Sequence, residues 1–428
     1  MIFLTIHTVK RGDSLYAIAR KYGITVDTIV YDNQIQSRQN LAEGQALFIN
    51  VTSVLYRVKP GDSLYTIARS YNIGIEALLA ANPSITNRSQ LNPGQTVTIP
   101  FPNIILGNTE ANGFTLSSPE AALGQSFPYL TYISVFSWQA DAGGGITPVD
   151  DAEVNANARA ARTAPLLCVT NLEPGGGFSG EITHALFTND TVQDTFFTNL
   201  TAALRQRRYY GVIFDFEYIF PYDKGSYNQF LRRAVQTLHA LGYIVMTCVA
   251  PKLSETQTGT LYQAHDYPVH GELADFVIIM TYEWGYLYGP AMAVAPIDQV
   301  RRVLDYAVSV IPTNKIMMGM PNYGYDWTLP FVQGTAAKTL SNTEAVALAV
   351  DVGAAIKFDD KSQAPFFNYY DAQGKRHEVW FDDARSIRAR LKLIDDYNLG
   401  GVSYWTVDDL FRAQFLVLSS MYNIEKVL

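Results

Sequence analysis

The sequence predicts an α/β protein: a (β/α)8 barrel with a small α+β insertion between its seventh and eighth strands, preceded by two small β-α-α-β modules. Three observations carry that expectation. The first hundred residues repeat themselves, the text from about Pro102 alternates short β-rich apolar runs with amphipathic helical stretches, and those runs number eight, the count that closes a barrel. At 428 residues the chain exceeds one ordinary domain, and a barrel of ~250 residues or more plus small modules accounts for it.

The repeat comes first. His7-Thr-Val-Lys-Arg-Gly-Asp-Ser-Leu-Tyr-Ala-Ile-Ala-Arg-Lys-Tyr22 returns as Tyr56-Arg-Val-Lys-Pro-Gly-Asp-Ser-Leu-Tyr-Thr-Ile-Ala-Arg-Ser-Tyr71, and Leu41-Ala-Glu-Gly-Gln45 as Leu91-Asn-Pro-Gly-Gln95. The units therefore span 1–50 and 54–100. In each, Asp13 or Asp62 is expected to cap a helix; in the first, Leu15, Ile18, Ala19 and Tyr22 line one face and Gly23 ends it. Short β-like runs at Thr8–Lys10 and Ala46–Ile49 bracket the unit.

This text, with its Gly-Asp-Ser-Leu turn and its Gly-Gln before the last strand, resembles the LysM family, whose modules bind glycans containing N-acetylglucosamine. The resemblance places the ligand between two loops. In the first module these hold Gly12, Asp13, Ser14 and Leu15 with Asn33, Gln34 and Ile35; in the second, Gly61, Asp62, Ser63 and Leu64 with Asn82, Pro83, Ser84 and Ile85. A duplicated module that makes only structural or protein contacts is the alternative.

Residues 103–428 are expected to form the barrel. Its strand candidates are Ile104–Leu106, Thr131–Phe136, Pro165–Thr170, Gly211–Glu217, Tyr243–Ala250, Phe276–Tyr282, Lys315–Met320 and Gly401–Trp405. Tyr227, Phe230, Leu231, Ala234, Leu238 and Leu241 make one helical face, closed by Gly242. Val300, Val303, Leu304, Ala307 and Val308 make a second, and Ile387, Leu391 and Ile394 a third. The stretch at about 329–381 is too long for a plain loop and contains β-like text around a turn at Gly374, so it is expected to wall one side of a cleft.

Composition narrows the partners. Hydrophobic residues make up 48% of the chain and aromatic ones 13%, enough for a large core with rings left for a groove. The net charge is −8; the first hundred residues hold nine Lys/Arg against six Asp/Glu, so the acidic excess lies in the barrel, which disfavours a nucleic-acid partner. No apolar run reaches the ~20 residues that span a bilayer, and the start at Met1 lacks the pattern of a signal peptide. Cys168 and Cys248 sit in apolar strand-like runs and are expected to be buried free thiols; the six histidines show no metal-ligand spacing.

The chemistry concentrates in Gly211-Val-Ile-Phe-Asp-Phe-Glu-Tyr218. Alternation along a strand points Asp215 and Glu217 the same way, about 6.5 Å apart along the backbone, while Val212, Phe214 and Phe216 face the helices. Two carboxylates directed into a barrel are costly without a function or a cationic partner, and this strand supplies neither Lys nor Arg. Each also hinders ionisation of the other, which suits one of them to work as a general acid near neutrality. A salt-bridged structural pair is the alternative.

Most of this segment resembles glycoside hydrolase family 18, whose signature ends Asp-x-Asp-x-Glu. Asp215-Phe-Glu217 keeps its end, with Ile213 and Tyr210 where the family usually has aspartates. Met280-Thr-Tyr-Glu283 is similar to the family's Met-x-Tyr-Asp, and Trp405 to its floor tryptophan. The resemblance implies hydrolysis with retention, in which the substrate's own acetamide oxygen is the nucleophile. Glu217 would be the acid and base, Asp215 would orient the acetamide and Tyr282 would donate to its oxygen. Trp405 would stack beneath the sugar; Glu283, Met280, Asn322, Tyr323 and Asp326 would contact substrate. No metal or organic cofactor is implied.

Paired LysM modules with this barrel resemble the spore-cortex N-acetylglucosaminidases of endospore-forming bacteria. That implies cleavage of peptidoglycan, anchoring through the modules, and deposition in the spore coat or cortex without a signal peptide. A LysM-bearing chitinase and a non-catalytic glycan-binding coat protein are the alternatives.

Overall fold

A computed structural model describes residues 5–36, 40–51, 53–71, 73–88, 91–100, 105–116 and 123–428. Each repeat folds as β-α-α-β. In the first, antiparallel strands Thr5–Thr8 and Ala46–Ile49 flank helices Leu15–Tyr22 and Val26–Asp32; in the second, strands Ser53–Arg57 and Thr96–Pro100 flank Leu64–Ser70 and Ile75–Ala80. Gly23, at φ +69, ends the first helix as expected. The caps differ from expectation. Ser14 and Ser63 hold them, accepting from the main-chain N–H of Ala17 and Thr66, while Asp13 and Asp62 stand one residue too early. Their carboxylates instead close the preceding turn, accepting from the N–H of Lys10 at 2.8 Å and of Lys59 at 2.7 Å.

Eight parallel strands close the barrel: Gly107–Thr115, Tyr132–Ala140, Ala164–Thr170, Gly211–Asp215, Ile244–Val249, Phe276–Ile279, Ile316–Pro321 and Gly401–Trp405, with the last pairing back to the first. Seven lie where the apolar runs predicted. The first does not: Ile104 is outside the described residues, Leu106 precedes the strand, and the strand itself is the polar text Gly-Asn-Thr-Glu-Ala-Asn-Gly-Phe-Thr. Polar residues are stable there because the neighbouring strands answer them. Asn112, fully buried, donates to Ser403 Oγ at 2.9 Å and accepts from Ser134 Oγ at 3.4 Å across the interior.

Two apolar layers join barrel and helices. Val212, Phe214 and Phe216 pack outward on Tyr227 and Phe230 of helix Lys224–His239, whereas Ile213 faces inward with Cys168, Met246 and Cys248. Leu241 lies past that helix and is exposed. Helix Ile297–Ala307 buries Val300, Val303, Leu304 and Ala307, with Val308 half-buried just past its end, and helix Ala384–Tyr397 buries Ile387, Leu391 and Ile394. Both cysteines are buried and free.

The insertion is a five-stranded antiparallel sheet with helix Asn342–Asp351. It starts sooner than about 329, because Tyr323–Leu329 is already one of its inner strands, lying between Lys338–Ser341 and the central strand Arg376–Trp380. A single residue, Asn322, separates it from the seventh barrel strand.

Candidate active site

A cleft of about 440 Å3 opens at the carboxyl ends of the barrel strands. Asp215, Glu217, Met280, Tyr282, Glu283 and Trp405 all line it, with Phe178 and Tyr262 from flanking loops. The fourth strand stops pairing at Asp215, which is opposite Thr170, so Glu217 belongs to the turn beyond it. Asn171 fixes that turn from the next strand: it accepts from the Glu217 N–H at 3.0 Å and donates to the Glu217 carbonyl at 2.8 Å. His265 secures the preceding peptide. Its Nδ1 accepts from the Ala250 N–H at 3.0 Å, so its protonated Nε2 donates to the Phe216 carbonyl at 3.1 Å, and burial holds the ring neutral. Neither residue carried a sequence signal, since both act on main-chain atoms.

Tyr218, at φ +53, follows Glu217, and Glu283, at φ +67, follows Tyr282. Left-handed backbone is uncommon for such residues and clusters at functional sites. Here it turns the chain away just after each side chain has been directed inward. Gly319 makes room for Tyr282; a Cβ there would meet the tyrosine ring at 2.8 Å. Trp405 is braced by Phe136, edge-on at 4.8 Å between ring centres, and by Phe114 at 5.5 Å.

Electrostatics set the two acids apart from ordinary carboxylates. Asp215 is 4% exposed, and its Oδ1 has no hydrogen-bond partner among the described residues. Burial pushes its pKa up, and a contact with the Cys248 thiol offsets this in part. Burial also raises Glu217, and the Asp215 charge raises it further. Where the family signature has a further aspartate, Ile213, Cys168 and Cys248 supply apolar and thiol surface.

The raised values have a consequence for stability. Both groups hold protons more tightly in the folded chain than in the unfolded one, where carboxyls titrate near ~4. The pair therefore favours folding at low pH, and that contribution is lost as pH rises through the raised folded-state values. Asp215→Asn, which cannot ionise, is expected to melt higher than wild type by on the order of 2–4 °C at pH 8 and by much less at pH 4.5. Thermal unfolding at the two pH values checks this; a gain that did not grow with pH would contradict it.

The remaining expected contacts divide. Glu283 reaches the cleft, its carboxylate accepting from the hydroxyls of Tyr323 and of Tyr325, the latter at 3.0 Å, while burial raises its pKa. Tyr323 thus serves the cleft through Glu283. Asn322 and Asp326 do not belong to it. Asn322 is buried and donates to the carbonyls of Thr406 at 2.9 Å and Asp409 at 2.7 Å, clamping the loop after the eighth strand. Asp326 alternates to the other face of its strand from Tyr325, where Tyr369 and His377 bind it.

In the small modules most named side chains are structural. Asn33 ties helix to strand, donating to the carbonyls of Ile29 and Phe48 and accepting from the Phe48 N–H; Asn82 does the same with Leu78 and Thr98. Leu15 and Leu64 are core, and Ile35 and Ile85 pack against it. Gln34 contacts the barrel. Gly12, Ser14, Gly61, Ser63, Pro83 and Ser84 are exposed on these loops.

A barrel with a proton-retaining carboxyl pair in an aromatic cleft is the architecture of a glycosidase. The chain belongs to the family described as Glycosyl hydrolases family 18, whose sequence model matches residues 174–409, and it carries two LysM domains, matched at 7–50 and 56–100. It is 41% identical to the cortical fragment-lytic enzyme of Bacillus subtilis (strain 168) over 99% of both chains. Its fold is similar to the crystal structure of the Bacillus megaterium QM B1551 spore cortex-lytic enzyme SleL, with a TM-score of 0.91, 36% identity and all of both chains covered. The Bacillus cereus spore cortex-lytic enzyme SleL matches with a TM-score of 0.85 at 39% identity, over 99% of each chain.

Proposed function

We propose that this glycosidase cleaves N-acetylglucosaminyl linkages in spore-cortex peptidoglycan fragments, with retention, using the substrate's acetamide as nucleophile. The observation that carries the proposal is the pair Asp215 and Glu217, protonated more readily than ordinary carboxyls and facing one aromatic cleft. Glu217, open to the cleft and held by Asn171, donates its proton to the leaving oxygen and then takes one from water. Asp215, more deeply buried, orients the acetamide N–H and stabilises the positive charge that develops there. Tyr282 donates to the acetamide oxygen, keeping it near the anomeric carbon. Trp405 forms the floor beneath the distorted sugar. The relatives' cortical substrates support the choice of peptidoglycan, and the LysM modules hold the enzyme on the glycan at the spore.

Wild-type protein incubated with spore-cortex muropeptides is expected to release fragments with a new reducing N-acetylglucosamine end, identified by mass spectrometry, and to act poorly on chitin oligosaccharides. Binding of both without cleavage of either would leave a glycan-binding protein instead of an enzyme. Preferential cleavage of chitin oligosaccharides would make it a chitinase.

A further inference from the structure

The two modules repeat one another in sequence but differ in their surroundings. The turn before the last strand carries a left-handed glycine in both, Gly44 at φ +82 and Gly94 at φ +86. A Cβ on Gly44 would lie 1.8 Å from the carbonyl oxygen of Ile356, in the insertion. At Gly94 the nearest atom among the described residues, beyond its chain neighbours, is 3.9 Å away, on the flexible side chain of Arg57.

Around Gly44 the first module is fastened to the catalytic body. The Ile356 N–H donates to the Glu43 carbonyl at 2.8 Å, and Arg385 donates to the Gly44 carbonyl at 3.1 Å. Gln34 donates to the Leu410 carbonyl at 2.7 Å and accepts from the Arg412 N–H at 2.8 Å, and the Arg412 guanidinium lies 3.8 Å over the Tyr31 ring. Phe48 is buried in the barrel's apolar layer and Ala42 in that of the insertion.

These contacts use the loop that a glycan would need. Residues 33–36 face helix Asn342–Asp351 across a narrow crevice, with Gln34 committed to the barrel and Asn33 to its own fold. In the second module Pro83 and Ser84 are exposed. The modules share one apolar cluster, joining Val9, Ile18 and Val51 to Val58 and Ile67, so the second is carried on the first.

We propose that the repeats divide their work: the second module alone holds glycan, while the first is a bracket that sets the second at a fixed place relative to the cleft. This rests on the glycan-holding role given to the modules above. An enzyme so built works on insoluble glycan as one body, whereas a small soluble substrate is indifferent to the bracket.

The test uses the full chain. Retention on insoluble peptidoglycan is measured by sedimentation in a Glu217→Gln background, with one bulky substitution in each loop. Ser84→Trp is expected to weaken retention about tenfold or more, the effect of losing a central contact. Gln36→Trp is expected to leave it within about twofold, as for a neutral surface change. With Glu217 intact, turnover of insoluble peptidoglycan is then compared with turnover of a soluble oligosaccharide. Gly44→Ala and Gly94→Ala impose the same strain on the turn, but only the first collides with the catalytic body. Gly44→Ala should lower the insoluble-to-soluble ratio several-fold and Gly94→Ala should not, with melting curves verifying that both chains fold. Equal loss of retention from Gln36→Trp and Ser84→Trp, or equal ratios for the two glycine variants, overturns the division of work. No retention by the parent chain would instead overturn the glycan-holding role itself.

Discussion

Replacing Glu217 with Gln is expected to lower kcat on N-acetylglucosaminyl substrates by about 10³-fold, with KM changed by no more than about threefold. Glutamine keeps the shape, and the clamp on the peptide survives because Asn171 grips only main-chain atoms. What disappears is a transferable proton. The loss should depend on the leaving group: a sugar alcohol needs protonation to depart, whereas an activated phenol hardly does. Single-turnover rates of leaving-group release from a natural oligosaccharide and from an aryl glycoside separate the cases, and the variant should lose far less on the aryl substrate at this step, because the later attack of water is not included. Equal losses on both would assign Glu217 a binding or packing role. Retention of more than a tenth of wild-type kcat on the oligosaccharide would remove it from the chemistry altogether.

How much of this was legible in the sequence depends on where each residue's partners lie. Asp215 and Glu217 could be recognised because alternation along one short apolar run that holds no Lys or Arg leaves little else for two inward carboxyls to do. Seven barrel strands were visible because their apolar runs face packing layers on both sides. The first strand was hidden because Asn112 is stabilised by Ser403 and Ser134, residues 291 and 22 positions away in the chain. Asn171 and His265 were invisible for the same reason: each satisfies the backbone of another segment. Asn322 and Asp326 show the converse. Polar residues after a barrel strand suggest a rim, but one clamps a loop and the other turns to the back of the insertion sheet, a direction fixed by a strand boundary that the sequence left about six residues late.

The repeat teaches a related lesson. Asn33 and Asn82, Ser14 and Ser63, and Asp13 and Asp62 recur because each pair closes the same internal hydrogen bonds, so recurrence marks the fold of the module before it marks a ligand. Where the repeats diverge, at Gln34 against Pro83, the difference coincides with docking on the barrel. Divergence between copies thus carried information that the shared text did not.

Asp215→Asn should have the second-largest effect on catalysis, a fall in kcat of about 10²–10³-fold, and it should also move the pH profile. Asparagine can still hydrogen-bond the acetamide but carries no charge to stabilise its nitrogen as positive charge develops there. The shift follows from the coupling between the acids. Glu217 must be protonated to act on the free substrate, so the alkaline limb of kcat/KM reports its pKa. Burial raises that pKa, and the Asp215 charge adds to the rise. Removing the charge leaves burial alone, so the alkaline limb should move to lower pH while staying above the ordinary carboxylate range. The measurement is kcat/KM for wild type and variant from pH 4 to 9 on the same substrate. A large fall in kcat with an unmoved alkaline limb would mean that Asp215 acts on the substrate without sensing Glu217. A moved limb with nearly intact kcat would mean that its charge tunes the acid and does nothing to the acetamide.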